Sequence, residues 1–175
     1  FDTDATIDTR GMVSALAETA ETIDVEQHGD YQILRLDMND PVLATVGADG
    51  NAWSLVIGDL ILEPSIPLKM ERTVRGDGGS ILRVLYQDPQ HIRSITDPFV
   101  GDTISLVTGF GPPRGLLKPQ NFVDLEALSS AQGIALATRS DGVKIKILGD
   151  DVIIEKDGGL ALSNRHLRGG TGTLS

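Results

Sequence analysis

The chain contains no cysteine. Disulfides, thiol nucleophiles, zinc–thiolate sites and iron–sulfur clusters are therefore closed to it. Aromatic residues are scarce, 4% of 175 residues, with a single Trp. A core must then be built from Val, Ile, Leu and Ala. Basic residues are outnumbered: 15 Lys and Arg face 25 Asp and Glu, a formal net charge of −10. That balance opposes nucleic-acid binding, which needs clustered cations. It also opposes attachment to anionic lipid surfaces. No apolar run approaches the roughly 18 residues of a helical membrane span.

Motifs of common chemistries are missing too. There is no Gly-x-Ser-x-Gly elbow, no P-loop and no dinucleotide fingerprint. Gly76-Asp77-Gly78-Gly79-Ser80 is Gly-rich, but it leads into a strand-like run, whereas phosphate cradles use helix N-termini. Asp37, Asn39 and Asp40 imitate the start of a calcium loop. The pattern then fails for want of Gly and Glu at its later positions. His28, His91 and His166 are far apart, with no metal-like partner at short spacing. Arg75-Gly76-Asp77 matches an integrin tripeptide, and reads better as a hairpin turn. The expectation is a protein that is not an enzyme and needs no cofactor or metal.

What is present suits a soluble globule. Hydrophobic residues make up 40% of the chain, and a domain of this size can bury about 70% of its unfolded surface. Turn signals recur at short intervals: Gly29-Asp30, Asp49-Gly50, Gly101-Asp102, Asp141-Gly142 and Gly149-Asp150. Such pairs supply the positive φ and side-chain bonding of tight hairpins. Between them lie strand-like runs at residues 52–57, 60–62, 80–86 and 103–108, and residues 143–162 read as a three-strand meander. Together they predict a mostly β protein of antiparallel sheets, sandwich or barrel-like.

Two short helices are expected within it. Residues 11–22 place Met12, Leu16, Ala20 and Ile23 on one face, behind a cap at Asp8 or Thr9. Residues 122–132 read the same way, and each stretch leads into a hairpin. The unit is expected twice, about 111 residues apart by count along the chain, and the resulting reading is a duplicated helix–hairpin unit. The whole, 1–175, is taken as a single β-rich domain with a possible subdivision near 109–120. There, Gly109-Phe110-Gly111-Pro112-Pro113-Arg114-Gly115 forms the longest structureless stretch, and loops of that kind are often functional or mobile. No initiator Met precedes Phe1-Asp2, and 168–175 is a Gly-rich tail. The chain reads as a piece of a longer protein.

Six residues are candidates for binding. Trp53 and Tyr31 suit sugar stacking or partner anchoring. Arg72, Arg75, Arg83 and Arg93 concentrate positive charge in the middle third. If clustered, they would receive a carboxylate-bearing polymer or an acidic partner. The competing reading buries Trp53 and spreads the arginines over exposed strands.

Four runs carry a resemblance: Ile33-Leu34-Arg35-Leu36, Trp53-Ser54-Leu55-Val56-Ile57-Gly58, Ile104-Ser105-Leu106-Val107 and Val143-Lys144-Ile145-Lys146-Ile147. They look like the strands of AMIN-type modules of bacterial envelope proteins. The chain also resembles the β-rich region of large Gram-negative envelope proteins that carry tetratricopeptide repeats elsewhere. The resemblance implies a periplasmic or cell-envelope, noncatalytic binding or scaffolding module, with a protein partner or cell-wall glycan. Two alternatives stand beside it: a glycan-binding or carbohydrate-active domain, and a structural or oligomerising β domain. Oligomeric state is not legible.

Overall fold

A computed structural model of the chain describes residues 1–50, 52–58 and 64–162. The expected strand at 60–62, His166 and the tail at 168–175 lie outside the described residues. The structure is mostly β, with antiparallel pairing in its larger sheets. Among the described residues one short helix occurs, and it is neither long nor apolar enough to cross a membrane. Two compact units are present: Phe1–Ala44 with Ile57–Leu60, and Thr45–Val56 with Ile61–Ser175. Residues 109–120 lie inside the second unit.

The first unit holds helix α1 (Arg10–Ala15) and a hairpin of β1 (Ala20–His28) and β2 (Tyr31–Met38). Asp8 Oδ1 accepts the Arg10 N–H at 3.0 Å and also binds its guanidinium. The helix lasts only six residues, where the sequence suggested twelve positions. Beyond it, the β-branched residues Thr19, Thr22 and Ile23 favour a strand, and pairing runs from Ala20 opposite Met38 to His28 opposite Tyr31. Gln32 is 1% exposed. Its amide ties the N-terminal segment to β2: Nε2 donates to Thr3 O at 3.2 Å and to Ala5 O, and Oε1 accepts the Ile7 N–H at 3.3 Å. A buried polar side chain is tolerable because all its groups are used.

The second unit begins with a hairpin of β3 (Ala44–Asp49) and β4 (Ala52–Ile57), all but its end residues Ala44 and Ile57. The chain then supplies β5 (Ile66–Pro67), β6 (Met70–Val74), β7 (Ser80–Leu85), β8 (Pro89–Thr96) and β9 (Thr103–Gly109). It continues through β10 (Arg114–Gly115), β11 (Gln120–Asn121) and β12 (Leu125–Leu128) to β13 (Ile134–Thr138), β14 (Lys144–Leu148) and β15 (Asp151–Glu155). Four strands form a sheet in the order β14-β15-β7-β6, and five form another in the order β11-β12-β13-β9-β8. A short parallel ladder joins β10 to β5.

Alternation explains the core. Leu82 and Val84 on β7, and Val152 and Ile154 on β15, turn to one side of the four-stranded sheet. From the other sheet come Val107, Leu125, Ala127, Ile134 and Leu136. All join one hydrophobic cluster, completed by Leu68, Tyr86, Leu116, Phe122, Leu160 and Leu162. Each large aliphatic buried this way contributes roughly 1.5–3 kcal/mol. Two sheets sharing one cluster form a two-layer β structure, with no helix in either layer.

The second expected helix is corrected. Within residues 122–132 the chain forms strand β12, paired with both β11 and β13. Leu125, Glu126, Ala127 and Leu128 are good helix formers. In place, Leu125 and Ala127 are buried while Glu126 and Leu128 are half-buried, so the period is two. Tertiary pairing overrides propensity here. Nor do the two following runs form a hairpin with each other: β13 pairs with β12 and β9, and β14 pairs with β15. The helix–hairpin order is present once, at α1-β1-β2, and its duplication is not seen among the described residues.

Candidate binding surface

Five of the six sequence-selected residues lie in the second unit, spread over β4, both larger sheets and a turn. Tyr31 belongs to the first unit, where its ring stacks on His28 at 5.1 Å between centroids. His28 also meets Glu26, which binds Arg35 at 2.7 Å. Arg72 and Arg83 lie on β6 and β7, Arg75 in the turn between them, and Arg93 on β8 of the other sheet.

The arginines of the four-stranded sheet have partners in this chain, Arg75 and Arg83 beside the sheet's own strands and Arg72 at Phe122, between β11 and β12 of the other sheet. Arg72 lies over the Phe122 ring, 5.5 Å from its centroid, a cation–π contact. Arg75 binds Asp77 at 2.6 Å and Glu155 at 3.4 Å. The Arg75 and Asp77 of the integrin-like tripeptide thus clasp each other. Bonding to Arg75 and to the Gly79 N–H holds the Asp77 carboxyl down at about 2. Arg83 binds Asp151 at 2.8 Å. Lys146 meets Glu155, and Lys144 meets Asp157. This face is a lattice of alternating charge, as expected of a solvated sheet surface.

Trp53 points elsewhere. It is half-buried on β4, and its ring edge faces Gly111. A Cβ built on Gly111 would come 4.0 Å from Trp53 Cη2 and 2.7 Å from Ala48 Cβ. Ala48 on β3 and Trp53 on β4 therefore lie close to the Pro-rich loop at Gly111. The Gly111–Pro112 peptide is cis.

One side chain clamps both ends of that loop. Gln132 Nε2 donates to Gly109 O at 2.8 Å and to Tyr86 Oη at 3.1 Å, with Phe110 O at 3.4 Å. Gln132 Oε1 accepts the Arg114 N–H at 2.8 Å. The Gly133 N–H then closes on Arg114 O at 2.7 Å. Tyr86 is fully buried beneath, and a Cβ on Gly109 would meet its hydroxyl at 2.5 Å. Only glycine lets the backbone lie so close.

Burial pushes the Tyr86 hydroxyl up to about 12, against a weaker downward pull from Arg114. A tyrosine raised in the folded state holds its proton longer than in the unfolded chain. It therefore subtracts from stability as pH rises above its ordinary value of 10.0. Urea unfolding followed from pH about 9 to about 11 is expected to show the midpoint falling. In Tyr86→Phe that component of the slope disappears.

The clamp leaves a short rigid arch between its two fixed ends. Phe110 stands 58% exposed on it, and Pro112 is exposed. Leu55, 46% exposed, lies on the neighbouring β4. At the far end Arg114 Nη2 donates to Gln87 Oε1 at 2.6 Å, and Nη1 to Pro112 O at 3.4 Å. A half-buried indole, an exposed phenyl and a guanidinium are thus presented by one pre-shaped loop and its neighbour. The phenyl can meet an apolar group and the guanidinium an anion. The sequence flagged Trp53 and the loop. It did not flag Phe110, Arg114, Gln132 or Tyr86, and the only signal for them was the Gly-Pro composition around 109–115. No family model matches this chain, and neither a curated protein nor a solved structure matches it.

Proposed function

We propose that this chain is a noncatalytic binding or scaffolding module of a bacterial cell-envelope protein, working through the loop between β9 and β10. The observation that carries the binding reading is the double clamp by Gln132 at Gly109 and Arg114. A half-buried side chain committed to shaping an exposed loop lowers the entropic cost of recognition by that loop. The envelope location rests on the strand resemblance of Ile33–Leu36, Trp53–Gly58, Ile104–Val107 and Val143–Ile147.

Two preparations of Gram-negative envelope test it: one retaining its proteins, and one stripped to cell-wall glycan. The wild type is expected to be retained on the first. Phe110→Ser, which removes exposed apolar surface without touching the core, is expected to weaken retention about tenfold, or about 1.4 kcal/mol. Retention on the bare glycan, lost with Trp53→Ala, would favour the glycan-binding alternative. Equal retention of wild type and Phe110→Ser on every preparation contradicts the reading, as would turnover of the glycan.

A further inference from the structure

We infer that Arg114 is the recognition residue for a carboxylate on an acidic peptide, at the end of a loop that also exposes Phe110. The inference rests on the binding-module reading and names its ligand class. Arg114 is distinguished by its partners. Arg10, Arg35, Arg75, Arg83 and Arg139 each hold a carboxylate of this chain, and the Arg72 guanidinium is set over the Phe122 ring. Among the described residues the Arg114 guanidinium has only two neutral oxygens, of Gln87 and Pro112. A guanidinium stays charged at any ordinary pH and offers five donors in a planar fork. A carboxylate would form shorter, stronger charge-assisted bonds than the exposed Gln87 amide does.

The root of this side chain is already fixed. Its N–H is held by Gln132 and its carbonyl by Gly133, so little backbone ordering remains for a ligand to impose. The chemistry around it favours peptide over sugar. Sugar sites need several polar side chains facing the ligand. Here the polar groups of Gln132 and Tyr86 bond each other and the loop backbone. Phe110, Pro112 and the guanidinium are left for the ligand. A net charge of −10 opposes indiscriminate adhesion of anions, so an acidic peptide that binds must use a local cation. At physiological salt the overall repulsion is screened beyond about 8 Å, and a direct contact survives it.

Selection of phage-displayed random heptapeptides on the immobilised chain tests the inference. The wild type is expected to enrich sequences with Asp or Glu beside an apolar or aromatic residue. Arg114→Gln is expected to lower their binding at least tenfold, and Arg114→Glu to select Lys or Arg in their place. Arg139→Gln, which breaks an ion pair with Glu126 on another element, is expected to select as the wild type does. Thermal melting checks that each variant is folded. If Arg114→Gln melts early, Arg114→Lys takes its place, keeping the charge and losing the fork. Enriched sequences without acidic residues, or equally bound by a folded Arg114→Gln, overturn the ligand class and leave the binding-module reading standing. No enrichment on the wild type also overturns the inference. The fate of the broader reading is then decided by the envelope-retention result.

Discussion

Gly115→Ala is expected to cost at least about 3 kcal/mol of folding stability, enough to leave little folded protein in a marginal background. Gly115 is buried in β10, where it pairs with Pro67 and bridges Gly133. A methyl group there would run into the Ser130 carbonyl oxygen, lying 2.8 Å from Ser130 C and 2.9 Å from Ala131 C. These are backbone atoms, and they cannot swing aside as a side-chain end can. The Leu116 N–H is held by Ser130 Oγ at 3.0 Å, and the Ser130 N–H by Leu116 O at 2.8 Å. Relief would therefore tear the β10 segment from its neighbours. Chemical denaturation checks the magnitude. Leu117→Ala, next but one along the chain and 55% exposed, is the comparison and is expected to change stability by no more than about 0.5 kcal/mol. Equal midpoints for Gly115→Ala and the wild type would refute the packing described here.

Asp124→Asn is expected to cost about 2–4 kcal/mol, because it breaks a buried charged network from one side. The Asp124 side chain is 8% exposed. Oδ1 accepts Lys156 Nζ at 3.1 Å, and Oδ2 accepts the Ala161 N–H at 2.7 Å. Lys156 also donates to Ser140 Oγ at 3.0 Å. The Ala161 carbonyl in turn receives the Val123 N–H at 3.1 Å, while the Leu160 N–H reaches Ser80 O at 2.8 Å. Residues 160–162 are thereby strapped across both sheets, with Leu160 and Leu162 buried in the shared core. Losing the carboxylate leaves Lys156 with a hydroxyl in place of a counter-charge.

The pH dependence has a definite sign. Burial raises the Asp124 carboxyl, but the Ala161 N–H, the Ser140 hydroxyl and Lys156 together outweigh it, and the net shift is downward. A depressed carboxyl adds stability above its unfolded value, near 3.8, and loses it as pH falls through the folded one. Urea midpoints taken from about pH 6 down to about pH 3 should fall for the wild type and less steeply for Asp124→Asn. Glu155, lowered chiefly by Lys146, acts in the same direction and keeps some slope in the variant. Parallel slopes would remove Asp124 from this account.

The sequence was legible where strands are long, β-branched and sharply ended. Ser80–Leu85, Thr103–Gly109 and Asp151–Glu155 read correctly because alternation and Gly-Asp turns agree. It was misleading at 122–132, where Leu-Glu-Ala-Leu carries helix propensity and a four-residue strand is too short to show its period. Strands β6 and β8 went unread. β6 is mostly exposed and carries Glu71 and Arg72, and β8 includes Pro89, His91 and Arg93. At a sheet edge, charge is tolerated and alternation fades. Of the candidate site, Trp53 and the Gly-Pro loop were visible. The clamp was not, since Gln132 lies 18 residues from Arg114 and 46 from Tyr86 in sequence. Only folding turns its amide inward.

Hydrogen exchange read by mass spectrometry tests the central claim most directly. The chain would be measured alone and with the protein-retaining envelope preparation. New protection over the 109–114 loop and the adjoining β4, absent in Phe110→Ser, is the result expected. Protection confined to the charged face of β14 and β15, or no new protection in a chain that is nonetheless retained, would contradict it.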